Sequence, residues 1–235
     1  MIDSERVEVP TPDGPMPAEW FGPTDGSVPV IVVCQEIFGV TDYIRRRCRD
    51  LADAGYAVLA PHFYWRLSPT GDAPEIAETD ENALQQAMGL AQQLDFAAAT
   101  ADGVAAVAYA REHGTAVGLV GFCFGGGLAF AIAAQAEPDA LVSYYGSGLP
   151  GLLELAPRVT APSLHHFGDA DSFIDADAQA RVRDAVTANT EAEWITHPGA
   201  DHAFDNDVAP WHHPEASARA WQATLRFLAD RLPAR

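Results

Sequence analysis

Gly121-Phe122-Cys123-Phe124-Gly125-Gly126-Gly127 is the most geometrically demanding stretch of this chain. An apolar run, Ala116 to Val120, leads into it, and Leu128-Ala129-Phe130-Ala131-Ile132-Ala133-Ala134 follows. The pattern predicts a strand, a tight turn and a helix. Residues 121–125 fit the G-x-S-x-G nucleophile elbow with Cys in place of Ser. The central residue of an elbow takes a strained backbone conformation, and residues two positions away must be small so that strand and helix can approach. Gly121 and Gly125 meet that need. A thiol there points off the sheet at a helix N-terminus, whose positive dipole end favours thiolate. The competing reading is a glycine-rich turn around an inert cysteine, since free Cys is among the most buried residue types. Five residues leave both readings open, so the rest of the chain must decide.

On either side, strand and helix patterns alternate. Residues 5–9 and 17–21 read as an N-terminal hairpin around Pro12-Asp13-Gly14-Pro15. Val28 to Cys34 is apolar apart from Pro29, which suits a strand buried on both faces. The loop Gln35-Glu36-Ile37-Phe38-Gly39 leads to a helix that Thr41 or Asp42 could cap. Gly55 to Pro61 is the next strand, followed by an aromatic and Pro-rich loop over 61–74. Helices are expected over Glu75–Leu94 and Phe96–His113, with Gly114 as a stop. Further strands are expected at Asp139–Gly146, Pro162–Phe167 and Ala192–His197. Two more helices are expected, over Asp175–Ala188 and over Glu215–Leu232, where Ala218, Trp221, Leu225 and Leu228 form an apolar stripe. This alternation implies an α/β fold, a mostly parallel central sheet with helices on both faces, built as one domain over residues 1–235. The site of such a fold lies beyond the carboxyl ends of its strands.

Composition narrows the function. With 48% hydrophobic and 20% charged residues the chain is globular rather than disordered. No apolar run reaches the ~20 residues of a membrane span, and the N-terminus lacks a secretory pattern, so the expected location is cytoplasmic. Cys34, Cys48 and Cys123 show neither metal spacing nor a disulfide framework. The net charge is −19, and all 14 basic residues are Arg. That charge repels nucleic acid and anionic membrane, leaving a small molecule as the expected partner of a monomer or small homo-oligomer.

A nucleophile needs a base, and the base needs an orienter. In the α/β-hydrolase arrangement these follow in the order nucleophile, acid, His, each on a loop after a strand. After Phe167 comes Gly168-Asp169-Ala170-Asp171, and after His197 comes Pro198-Gly199-Ala200-Asp201-His202. We assign Asp171 as orienter and His202 as base. Asp169 competes as the acid, with a turn or cap as its structural role, and Asp201 is expected to be solvated. His165-His166 and His212-His213 have no Cys or carboxylate at ligand spacing, so no metal and no cofactor is expected.

Gly-x-Cys-x-Gly-Gly, Gly168-x-x-Asp171, the His202-Ala-Phe loop, Gln35-Glu36-Ile37-Phe38-Gly39 and Ala60-Pro61 before Phe63-Tyr64 together resemble the dienelactone hydrolase family. The resemblance spans roughly residues 5–232. It implies an α/β-hydrolase fold and a cysteine hydrolase of enol-lactones and related esters. By the matching positions Cys123 is nucleophile, His202 base and Asp171 orienter, and the backbone N–H groups of Ile37 and Phe124 form the oxyanion hole. Glu36 is the carboxylate that regulates the thiol, because a carboxylate facing a thiolate disfavours its charge. A second reading, from a different class, is a non-catalytic ligand-binding or redox-sensing protein that uses Cys123 as a reactive thiol.

The chain departs from the family in one respect. Members that act on dienelactone hold the substrate carboxylate with arginines, one of them four residues after the His. That position is Asn206 here, and residues 67–110 contain no Lys or Arg. A hydrogen bond to a charged partner contributes about 1.5–3 kcal/mol. The expected substrate is therefore an uncharged or weakly charged ester or lactone, with Phe38, Trp65, Tyr145, Phe173 and Phe204 as candidate pocket walls. For each aromatic the alternative is ordinary core packing, and an arginine not placed by this reading, with Arg66 as the candidate, would rebuild the clamp.

Overall fold

The computed structural model describes residues 4–68 and 73–234. Eight strands form one sheet: β1 (Glu5–Thr11), β2 (Gly14–Phe21), β3 (Val30–Cys34), β4 (Ala57–Pro61), β5 (Val117–Phe122), β6 (Ala140–Tyr144), β7 (Ser163–Gly168) and β8 (Ala192–His197). Their order is β1-β2-β4-β3-β5-β6-β7-β8, antiparallel across β1-β2 and β2-β4 and parallel elsewhere. Five central strands, β3 to β7, are buried at every residue; β3, β4 and β5 are apolar throughout, whereas β6 and β7 also bury Ser143, Ser163, His165 and His166. Outermost β1 carries exposed Glu5, Arg6 and Glu8, charges that discourage pairing with another chain.

Alternate strand residues feed two helical layers. Val30, Val32, Cys34 and Leu119 pack with α3 (Phe96–Glu112), α4 (Phe124–Ala136) and α5 (Ala176–Val186). Ile31, Val33, Val120 and Phe122 pack with α1 (Asp42–Asp53) and α6 (Pro214–Arg231). Cys34 and Cys48 are both wholly buried, one in each layer. No helix among the described residues is long and apolar enough to cross a membrane.

The helix expected over Glu75–Leu94 forms only as α2 (Ala83–Gln93). Residues 73–77 lack regular structure because tertiary bonds outweigh local propensity. The Ile76 N–H donates to the Phe38 carbonyl at 2.9 Å, and the Thr41 hydroxyl donates to Glu78 at 3.1 Å. Thr41 does sit at the N-cap of α1, but without a side-chain bond to the helix. The stripe expected on α6 is rotated as well. Ala216, Ala220, Ala223, Phe227 and Leu228 face the core, Ala218 is exposed, and Trp221 lies under the Arg47 guanidinium at 4.4 Å.

The paired histidines prove to be core residues. On β7, His165 faces Phe130, while His166 is 3.1 Å from His197 and 3.1 Å from the Thr224 hydroxyl. Burial pushes His165 and His197 down to about 4 and His166 well below its usual value. Unfolded histidines take up protons below about 6.5, whereas these refuse them, so each loses stability as pH falls from 6.5 towards 4. Glu36, Glu78 and His202, with raised pKa values, act in the opposite sense over that window, and the three core histidines are expected to outweigh them. Urea unfolding is expected to show a lower midpoint at pH 5 than at pH 7; an equal or higher midpoint would refute it.

Candidate active site

The elbow forms as its glycines require. Cys123 caps α4 with φ 52° and ψ −116°, a conformation that L-residues rarely adopt. A methyl group added at Gly121 would lie 2.1 Å from the Gly125 carbonyl oxygen. One added at Gly125 would lie 2.1 Å from the Cys34 carbonyl oxygen and 2.4 Å from that of Gln35. Thus α4 starts in direct backbone contact with the end of β3. The Cys123 carbonyl accepts from the N–H groups of Gly126 and Ser147, and its own N–H donates to Tyr144. These bonds fix the strained residue from both sides.

Cys123, His202 and Asp171 come together in a chain. The Sγ is 3.2 Å from His202 Nε2, and His202 Nδ1 is 2.9 Å from Asp171 Oδ2. Asp171 Oδ1 accepts the N–H groups of Phe173 and Ile174, both at 2.8 Å. The side chains of Asp171 and His202 are almost fully buried. Burial works against the imidazolium, yet the negative charge facing it at Cys123 and the bonds to Asp171 and Cys123 push His202 up to about 10. Such an arrangement can hold a proton on His202 beside a sulfur nucleophile and deliver it to a leaving group.

The neighbouring acids have structural tasks. Asp169 accepts the Gly199 N–H at 2.7 Å and ties the β7 and β8 loops together. Asp201, partly exposed as expected of a solvated acid, also accepts the N–H groups of Ser172 and His202, both at 2.7 Å.

Glu36 differs from expectation. Its carboxyl takes the Tyr145 hydroxyl at 3.2 Å and the Asn206 amide at 2.8 Å rather than the thiol. Burial first, then the nearby Glu78 charge, pushes it up to about 8, so it is protonated at neutral pH. The same Asn206 amide nitrogen also donates to Glu78 at 2.9 Å. Asn206 therefore joins two acids, and Glu78, which sequence reasoning placed within a helix, belongs to this network.

Around the thiol lies a cavity of about 130 Å³, bordered by Glu36, Ile37, Phe38, Leu84, Met88, Cys123, Ser147, Phe173, His202, Ala203 and Trp211. Phe38 and Phe173 are walls as expected. Trp65 is not, because its indole N–H donates to Asp102 under the Arg66 guanidinium. Tyr145 and Phe204 lie wholly buried beneath the site, Tyr145 with its ring 5.2 Å from that of His202 and Phe204 with its ring 5.1 Å from Tyr145. Arg66 pairs with Asp102 and Asp13, away from the cavity, and no Arg borders it among the described residues. Sequence reasoning missed Leu84, Met88 and Trp211; an apolar pair four residues apart on α2 was the available signal for the first two.

Among the described residues one trio, Glu19, His62 and Glu75, has ligand-type atoms within 4.8 Å of one another. Arg45 already bonds both carboxylates, at 2.6 Å each.

The backbone N–H groups expected as oxyanion donors are those of Phe124 and Ile37. Phe124 is the first residue of α4, where N–H groups lack intrahelical acceptors. The Glu36 carbonyl accepts the Gly39 N–H at 3.1 Å, so the Ile37 N–H, trans to it across the peptide, points out of that turn.

A mostly parallel sheet with a cysteine elbow after β5, an acid after β7 and a histidine after β8 defines an α/β-hydrolase. The sequence model of the dienelactone hydrolase family matches residues 16–232, and the chain belongs to that family. A carboxymethylenebutenolidase of Pseudomonas putida is 36% identical over 230 residues, 96% of either chain. A second, from Cupriavidus pinatubonensis, is 32% identical over 233 residues, covering 96% of this chain and 97% of its own. A crystal structure from Klebsiella pneumoniae assigned to the dienelactone hydrolases superposes with a TM-score of 0.81 at 32% identity, covering 97% of this chain and 99% of its own.

Proposed function

We propose that this protein hydrolyses uncharged carboxylic esters or lactones by acyl transfer through Cys123. The Sγ thiolate attacks the carbonyl carbon, and the N–H groups of Ile37 and Phe124 stabilise the oxyanion. His202 passes its proton to the departing oxygen and then activates the water that cleaves the thioester, while Asp171 holds the imidazole in place. Protonated Glu36 adds no negative charge beside the sulfur. The observation that carries this reading is the Cys123–His202–Asp171 chain opening into an apolar cavity with no arginine on its border among the described residues. The match to carboxymethylenebutenolidases supports the ester and lactone class, and the absence of an arginine from the cavity border among the described residues supports the preference for neutral substrates.

Two aryl esters matched in size, one neutral and one bearing a carboxylate, test the reading with Cys123→Ala as the blank. The neutral ester is expected to react about tenfold or more faster, the equivalent of one missing charged hydrogen bond. Equal or better turnover of the anion would refute the substrate class. Absence of any Cys123-dependent rate would refute the hydrolase and favour a thiol-based sensor.

A further inference from the structure

Two large apolar side chains stand out as exposed among the described residues, Met88 at 46% and Phe173 at 52%, and both border the cavity at Cys123. Apolar surface left open beside a reactive pair marks a place where a ligand is held. The Phe173 ring lies 4.9 Å from that of His202 and meets Trp211 edge-on at 5.9 Å. The other aromatic neighbour of His202, Tyr145, is wholly buried, so the open flank of the imidazole is the one lined by Phe173. Phe173 is also firmly placed. Its N–H is bonded to Asp171 Oδ1 while His202 is bonded to Asp171 Oδ2, so one carboxylate sets the base and the ring beside it.

The chemistry says which part of a substrate meets that ring. In acylation a bond forms between Sγ and the carbonyl carbon, and the carbon–oxygen single bond of the ester breaks. The electron pair leaves on the alkoxide oxygen, which takes the proton from His202 Nε2 and departs as the alcohol. That oxygen must lie within hydrogen-bond reach of Nε2, so the group it carries lies against whatever flanks the imidazole. We propose that Phe173 and Trp211 form a leaving-group subsite for an aromatic alcohol, making aryl esters the favoured substrate class. Two aromatic walls meeting edge-on offer a third ring both face and edge contacts. The inference rests on the hydrolase reading above.

Three esters separate the possibilities: phenyl acetate, trifluoroethyl acetate and trifluoroethyl phenylacetate, the last with its aromatic ring in the acyl half. Each is assayed with the wild type, Phe173→Ala, Trp211→Ala and Phe173→Tyr, with thermal unfolding confirming the fold. Both alanine variants are expected to lower kcat/KM for phenyl acetate about tenfold more than for trifluoroethyl acetate, and Phe173→Tyr to restore most of the loss. Comparing variant with wild type on each ester cancels the esters' intrinsic reactivities. Trifluoroethyl phenylacetate should respond like trifluoroethyl acetate. Equal losses on the two acetates, or the largest loss on trifluoroethyl phenylacetate, would overturn the subsite while leaving the hydrolase intact. Wild type inactive on all three would overturn both.

Discussion

Asp171→Asn is expected to lower Cys123-dependent ester hydrolysis by about a thousand- to ten-thousand-fold in a chain that remains folded. The reason is a tautomer. Asp171 Oδ1 accepts two backbone N–H groups, so an asparagine would keep its oxygen there and turn its NH2 group towards His202 Nδ1. Nδ1 must then accept, which leaves the proton on Nε2, where the imidazole can no longer take one from the thiol. The carboxylate's charge, one of the contributions holding His202 up near 10, is lost as well. Asp169→Asn is the control. Its oxygen can keep the Gly199 N–H, and activity should stay within about twofold. A loss below about tenfold in Asp171→Asn, or a comparable loss in Asp169→Asn, would remove Asp171 from the role of orienter.

Gly125→Ala is expected to cost more than about 4 kcal/mol or to abolish folding, without touching a reacting atom. The added methyl would meet the carbonyl oxygens of Cys34 and Gln35 at 2.1 and 2.4 Å. Both belong to backbone at the end of β3, so neither can swing aside as a side chain would. Relief requires prising α4 off the sheet, which uncovers Leu128, Ala129 and Ile132. Gly151→Ala, where nothing lies within 4 Å of the new methyl, should be nearly neutral. Urea unfolding of both variants decides the matter, and a Gly125→Ala chain with wild-type stability would show that strand and helix are less tightly docked than described.

Those two sites explain what could be read from the sequence. Gly121, Cys123 and Gly125 were legible because few residue types tolerate so tight a turn. Asp171 and His202 were legible because each lies in a loop that follows a strand, and chain order did the rest. Trp65 and Phe204 were misplaced because an aromatic near a site looks the same whether it faces solvent or core. Only packing distinguishes them: Asp102 draws Trp65 away, and the β8 side of the sheet buries Phe204 against His197. Residues 75–82 looked helical because composition reports local preference, while their conformation answers to Phe38, Thr41 and Asn206, far away in sequence. Glu36 was found, but the partner of its carboxyl was not, since the amide that binds it comes from residue 206.

The burial of two of the three cysteines also bears on how the protein fares under oxidation. Protein thiols that cycle reversibly through a sulfenic acid commonly depend on a neighbouring resolving cysteine to capture it as a disulfide. Cys34 and Cys48 are sealed in opposite helical layers, and Cys123 is the one thiol on the cavity wall. A peroxide reaching that cavity meets a sulfur with no second thiol beside it there. Rescue then falls to a small thiol from solution, and without one the sulfur advances to sulfinic and sulfonic acids, which ends its chemistry for good.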